Sequence, residues 1–141
     1  MKLHLILFLL VFTSCVSADF TCPYVLSDSE IVLEEGGKRK LTFSFSNCNG
    51  EDIDSFSISF DLYDSDGNNP FLFSNRFSCT FLEGVLSQEK KVFDVDLTPY
   101  ESAGFVDCLR LDSFFVREIR YSNGRIWKDP YGMCCSMEEF E

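Results

Sequence analysis

Residues 55 to 62 read Ser55-Phe56-Ser57-Ile58-Ser59-Phe60-Asp61-Leu62, with polar and apolar side chains in strict alternation. Successive side chains of a β-strand point to opposite faces of a sheet, so this stretch places its apolar residues on one face and its polar residues on the other. The alternation predicts a strand whose apolar face lies in a core and whose polar face meets solvent.

Strands of the same kind are predicted on both sides of this one. Leu41, Phe43 and Phe45 alternate with small polar residues before it, and a polar turn at residues 47–52 separates the two strands. After it, an edge strand is expected within residues 71–81 and an alternating strand over residues 93–97. A short helical turn should follow at residues 98–101, which have capping-box spacing with proline at the first helical position.

The last predicted unit is a hairpin that turns at Ser122-Asn123-Gly124. A three-residue loop with Gly124 in the left-handed region would place Ile119 opposite Trp127, whereas a two-residue loop would place Ile119 opposite Lys128. Pairing of two apolar side chains favours the three-residue loop. Six or seven short strands at intervals of ~8–12 residues, with at most one helical turn, predict an all-β antiparallel sandwich.

Residues 1–18 are typical of a secretory signal peptide. Lys2 is followed by an apolar run from Leu3 to Phe12 that is too short to span a bilayer as a helix. Small residues at positions 16–18 predict cleavage that leaves Asp19 as the first mature residue. The alternative is a lipoprotein signal over residues 1–14, in which the Phe-Thr-Ser-Cys string is a lipobox and Cys15 carries the lipid.

The chain is strongly acidic, with a formal net charge of −11, and loss of Lys2 with the signal segment would bring the charge to −12. Such a surface repels nucleic acids and anionic lipids, so neither is expected as a partner, and contact with a membrane is expected only through a lipid on Cys15. Removing residues 1–18 leaves 123 of the 141 residues, enough for one domain with a core. Sixteen phenylalanines provide large apolar side chains for that core.

Seven cysteines are present, and either route of processing sets Cys15 apart and leaves six. An even number in an exported domain predicts up to three disulfides. Because the expected topology places Cys48 and Cys79 toward one end of the sandwich, a Cys48–Cys79 disulfide is predicted. Four cysteines keep no assigned pairing and are expected to meet near the opposite end: Cys22, Cys108, Cys134 and Cys135.

The string Phe60-Asp61-Leu62-Tyr63-Asp64, with the turns on either side of it, resembles the motif of the FxLYD family of bacterial and archaeal extracytoplasmic domains. The resemblance covers roughly residues 38–132. It implies an immunoglobulin-like sandwich that is usually exported, often lipid-anchored and without assigned catalytic residues; the six mature cysteines depart from the family. In such a strand Phe60 and Leu62 would point to the core, Tyr63 would place its hydroxyl at the rim, and Asp64 would accept backbone amides in an Asx-turn. We therefore interpret the motif as structural.

One loop carries oxygen ligands at the spacing that calcium prefers. Asp64, Asp66 and Asn68 stand at alternate positions, and Asp61 precedes them. An EF-hand would need glycine at its sixth position and glutamate at its twelfth, where this chain has asparagine at both, so a plain turn is the preferred interpretation and a calcium site the alternative. The mature chain has no histidine, phosphate loop or dinucleotide fingerprint, so neither a cofactor nor catalysis is expected.

The chain is thus expected to divide into the signal segment, a segment over residues 19–37 with a first edge strand, the sandwich over residues 38–132, and an acidic cysteine-containing tail over residues 133–141. The expected function is that of a non-enzymatic domain, secreted or held in the cell envelope, that binds another protein or a glycan. Its binding surface would be the exposed aromatics near Phe71-Leu72-Phe73 or a sheet edge. A secreted disulfide-rich effector or inhibitor and a calcium-binding module are the alternatives.

Overall fold

The computed structural model describes residues 21–100 and 108–134. The predicted processing sites around Cys15, the cysteine Cys135 and the acidic end of the chain lie outside these residues. The described part forms seven strands and one short 3-10 helix at Thr98–Tyr100. The strands are β1 (Tyr24–Leu33), β2 (Arg39–Asn47), β3 (Ile53–Tyr63), β4 (Arg76–Phe81), β5 (Lys90–Asp96), β6 (Arg110–Tyr121) and β7 (Ile126–Lys128).

The strands form two antiparallel sheets that pack face to face. One sheet has three strands in the order β1-β2-β5, and the other has four in the order β4-β3-β6-β7. The predicted all-β antiparallel sandwich of six to seven strands is confirmed, with β1 and β4 both at sheet edges as expected. Compared with an immunoglobulin constant domain, β4 pairs with β3 in the second sheet, where the constant domain pairs its fourth strand in the first sheet.

Aromatic rings from both sheets meet in the core. Phe45 of β2 stacks on Phe56 of β3, with ring centroids 4.3 Å apart. Phe93 of β5 meets the edges of Phe56 and of Phe81 at 5.0 Å each, and Phe43 meets Phe114 of β6 at 5.1 Å. Because stacked and edge-to-face pairs add to the gain from burial, these contacts hold the two sheets together across their shared face.

The alternation that predicts β3 is correct for its core face and wrong for part of the other face. Phe56, Ile58 and Phe60 are buried, as expected. Ser59 and Asp61, which the pattern places in solvent, are only 2% and 5% exposed. The physical reason is that β3 is a central strand, so side chains from its neighbours cover the outer face of the sheet as well.

The local turns follow the sequence closely. The hairpin between β6 and β7 has the three-residue loop, with Ile119 opposite Trp127 and Gly124 at φ +87°. Tyr121 N donates to Arg125 O at 2.9 Å and closes the loop. The predicted helical turn is also present, and Asp96 begins it by accepting the N–H of Thr98 at 2.9 Å.

The two ends of the sandwich differ in their loops. At one end, which we name the Asn47 end, lie the connections β2–β3, β4–β5 and β6–β7. Asn47, 1% exposed, joins two of these connections. Its Nδ2 donates to the carbonyls of Glu51 (2.8 Å), Leu86 (3.2 Å) and Val85 (3.3 Å), and its Oδ1 accepts the N–H of Asn49 at 3.0 Å. The opposite end, the Phe73 end, carries the connections β1–β2, β3–β4 and β5–β6.

Replacing Asn47 by alanine should lower the free energy of unfolding by about 2–3 kcal/mol, because several buried polar groups lose their partner. Urea unfolding of the full chain measures this. Asn68→Ala, which removes an exposed amide, is the matched control and should change stability by less than about 0.5 kcal/mol. Equal stability of the Asn47 variant and the control would contradict the role given to Asn47.

Candidate functional site

A disulfide joins Cys22 to Cys134, with Cα atoms 5.5 Å apart. These are two of the four cysteines that the sequence left without a pairing. The bond spans 112 positions of sequence and ties the chain before β1 to the segment after β7. It therefore fastens both ends of the described chain onto the sandwich.

The predicted Cys48–Cys79 disulfide is wrong in this structure. Cys48 lies exposed beyond the end of β2 at the Asn47 end, where its N–H donates to Pro23 O at 3.0 Å. Cys79 lies within β4, paired with Ile58, and its side chain packs against the core between the sheets. Residues 71–81 show no regular alternation, so the inward direction of Cys79 depends on where β4 begins. Cys108 lies at the Phe73 end as expected, whereas Cys22 lies at the same end as Cys48.

A buried polar network surrounds the disulfide. Both carboxylate oxygens of Asp129 accept backbone amides, from Met133 at 2.9 Å and Cys134 at 2.7 Å. The carbonyl of Cys134 accepts the hydroxyl of Tyr24 at 3.0 Å, and that hydroxyl accepts the N–H of Val116 at 3.2 Å. These bonds satisfy groups that would otherwise be buried without partners, so Asp129 and Tyr24 have a structural role.

The residues of the FxLYD-like string take the positions expected of them as structural residues. Phe60 and Leu62 are buried in the core, and Tyr63 is half-buried at the end of β3. Asp64 Oδ1 accepts the N–H groups of Asp66 at 3.0 Å and Asn68 at 2.8 Å, which is the Asx-turn that the sequence predicts.

The candidate calcium ligands are not brought together. Asp61 forms a two-pronged ion pair with Arg76 of β4, with Nε–Oδ1 at 2.8 Å and Nη2–Oδ2 at 2.9 Å. This contact raises the pKa of the Arg76 guanidinium, chiefly through the hydrogen bonds that the guanidinium donates to Asp61. In the part of the chain that the structure describes, no three histidine, cysteine, aspartate or glutamate residues are placed to hold a metal ion. Sequence reasoning missed Arg76, whose position opposite Asp61 depends on the β3–β4 register.

The candidate binding residues of the β3–β4 loop divide between core and solvent. Phe71 turns inward and meets Phe77 edge to face at 5.0 Å. Leu72 and Phe73 point away and are 88% and 92% exposed. Asn69 fixes the loop backbone by accepting the N–H of Phe71 and donating to the carbonyl of Phe73, both at 2.9 Å. The loop therefore holds two adjacent apolar side chains in solvent at the Phe73 end.

Comparison of this chain with protein-family models, with curated proteins and with solved structures finds no match in any of the three. The relation to the FxLYD family stays a prediction from the motif. Over residues 21–100 and 108–134, no helix has the length and apolar character needed to cross a membrane.

Removing the Cys22–Cys134 disulfide should lower the free energy of unfolding by about 2–5 kcal/mol, since the bond constrains most of the described chain. The test compares urea unfolding of the Cys22→Ala, Cys134→Ala double variant with that of Cys48→Ala. The Cys48 variant should unfold like the parent protein. A loss of several kcal/mol in Cys48→Ala, with little loss in the double variant, would contradict the observed pairing.

Calcium at millimolar concentration should leave the melting temperature unchanged, because the carboxylates of Asp61 and Asp64 are already engaged within the protein. Asp64→Ala should cost about 1 kcal/mol of stability, to the same extent with and without calcium, because the turn loses two hydrogen bonds. Differential scanning calorimetry measures both effects. A calcium-dependent rise in melting temperature that Asp64→Ala abolishes would restore the calcium-binding alternative.

Proposed function

We propose that this chain is a non-enzymatic exported domain, secreted or held in the cell envelope, that binds another protein through the apolar tip formed by Leu72 and Phe73. The exposure of these two neighbouring side chains on a loop with a fixed backbone carries the proposal. Single exposed apolar residues are common on protein surfaces, but two adjacent ones at a projecting loop are typical of a contact with a partner.

The energetics of the loop favour a binding role over a structural one. Phe71 already anchors the loop in the core, so Leu72 and Phe73 are not needed to hold it. Burying a leucine or phenylalanine side chain is worth about 1.5–3 kcal/mol. Two such side chains on a backbone that is already ordered would bind with little loss of conformational entropy, which is how a few residues come to dominate an interface.

Export is supported by the chemistry of the cysteines and by the N-terminal segment. The Cys22–Cys134 disulfide fits an oxidising compartment, where such bonds form and persist. The apolar run after Lys2 has the character of an export signal, whether the signal is cleaved before Asp19 or at a lipidated Cys15. The net charge of −11 favours a partner whose surface around an apolar pocket is basic.

Site-specific photocrosslinking in cells that make the full chain tests the proposal. The photoreactive residue benzoylphenylalanine replaces Phe73 in one variant and Leu82 in another. Leu82 is the matched control, because it is 84% exposed and lies in the β4–β5 loop at the opposite end of the sandwich. We expect a discrete protein adduct from position 73 and none from position 82. No adduct from position 73, or the same adducts from both positions, would overturn the proposal.

The adduct from position 73 identifies the partner, and its affinity is then measured directly with purified proteins. Leu72→Ser, Phe73→Ser should weaken binding at least about tenfold, which corresponds to about 1.4 kcal/mol. Its melting temperature should match the parent protein, since neither side chain packs on the core. Leu82→Ser should bind like the parent. An unchanged affinity in the Leu72, Phe73 variant would place the interface elsewhere.

A further inference from the structure

The outer face of the four-stranded sheet carries a groove of about 420 Å³. One side of it is the segment after β7, which runs over the sheet. Phe115 points outward from β6 but is buried. Gly132 covers its ring so closely that a Cβ added at this glycine would lie only 2.8 Å from the ring. The segment therefore packs on Phe115 as a ridge, and Pro130 of that ridge lines the groove.

Side-chain hydroxyls line the groove opposite the ridge. Ser57 of β3 and Ser78 and Thr80 of β4 all contribute to it. Ser57 Oγ and Thr80 Oγ1 are 2.8 Å apart and share one hydrogen bond, which leaves each hydroxyl with further capacity to donate or accept. Three hydroxyls that both donate and accept suit a ligand that carries hydroxyls of its own.

The charges in the groove leave one cation in excess. Glu118 Oε1 accepts a hydrogen bond from Arg120 Nε at 2.7 Å, and Glu118 Oε2 lies 3.5 Å from Lys128 Nζ. Burial raises the pKa of Glu118, but the hydrogen bonds and charges of Arg120 and Lys128 outweigh burial and lower it overall, so its carboxylate stays ionised. Arg117 also lines the groove, and none of the ion pairs among the described residues includes it.

The position of Arg117 follows from an irregularity in the sheet. Ser57 pairs with Glu118 and Ile58 pairs with Val116, so Arg117 is the extra residue of a β-bulge. A bulge changes the direction of a side chain relative to the regular strand, and bulges are common beside binding sites. Here it adds to a hydroxyl-lined groove a guanidinium that forms no ion pair with the residues the structure describes, on a protein whose net charge is −11.

We propose that this groove binds a carboxylate-bearing saccharide, with Arg117 binding the carboxylate and the hydroxyls of Ser57, Ser78 and Thr80 binding the sugar hydroxyls. Arginine matches the two oxygens of a carboxylate with two parallel N–H donors. The ionised Glu118 accepts hydroxyls and disfavours ligands that are densely charged, such as nucleic acids. The groove lies on the outer face of the sheet, whereas Leu72 and Phe73 lie on the β3–β4 loop. The saccharide proposal therefore does not depend on the proposed binding of a protein.

A titration of the ¹⁵N-labelled full chain, followed by NMR, tests the site with defined probes. The acidic probe is the disaccharide of glucuronic acid and N-acetylglucosamine, and the neutral probe is N,N′-diacetylchitobiose. We expect the acidic disaccharide to shift the amides of Ser57, Ser78 and Arg117 and to bind at least about tenfold more tightly than the neutral one.

Arg117→Gln should remove that preference, whereas Arg110→Gln, an exposed arginine at the far end of the same strand, should keep it. Leu72→Ser, Phe73→Ser should bind the acidic disaccharide like the parent protein, which separates this site from the protein-binding surface. The proposal would be overturned by no shift at these amides, by equal binding of the two disaccharides, or by an equal loss of the preference for the acidic disaccharide in both arginine variants. So would acetate or inorganic phosphate binding as tightly as the acidic disaccharide, since the groove would then recognise only an anion.

Discussion

The stacking of Phe45 on Phe56 is the contact on which the rest of the sandwich depends. The two rings belong to different sheets, and their centroids are only 4.3 Å apart. Phe93 meets both rings and extends the same aromatic layer to β5. Because protein cores are close-packed, this layer sets the spacing of the sheets and with it the positions of every loop at the two ends.

Packing of the two sheets also buries polar groups, and side chains elsewhere in the fold form hydrogen bonds with them. Asn47 satisfies the carbonyls where loops cross between the sheets, and Asp129 satisfies the amides of the segment that reaches Cys134. Asp61, buried on the outer face of β3, accepts two hydrogen bonds from the guanidinium of Arg76. Each of these polar side chains is accounted for by the fold. Two features that the fold does not explain lie on the surface: the exposed pair at the tip of the β3–β4 loop and the guanidinium of Arg117.

The strands could be predicted from the sequence because period-two alternation is a local signal, and so could the register of the last hairpin, which depends on its own loop. Contacts between distant segments could not. Pairing of Cys22 with Cys134 depends on the path of the chain after Pro130, and the burial of Asp61 depends on the β3–β4 register. The sequence predicts the tip only as a group of three residues, because it does not show that Phe71 turns inward while Leu72 and Phe73 turn outward. The bulge at Arg117 has no local sequence signal.

A fixed β3–β4 loop is central to this account, since an apolar tip on a disordered loop would lose ordering entropy on binding. Amide hydrogen exchange of the isolated protein, measured by NMR, tests it most directly. The N–H of Phe71, which is bonded to Asn69 Oδ1, should exchange much more slowly than the N–H groups of Leu72 and Phe73. Exchange of all three at the rate of an unstructured peptide would contradict the account.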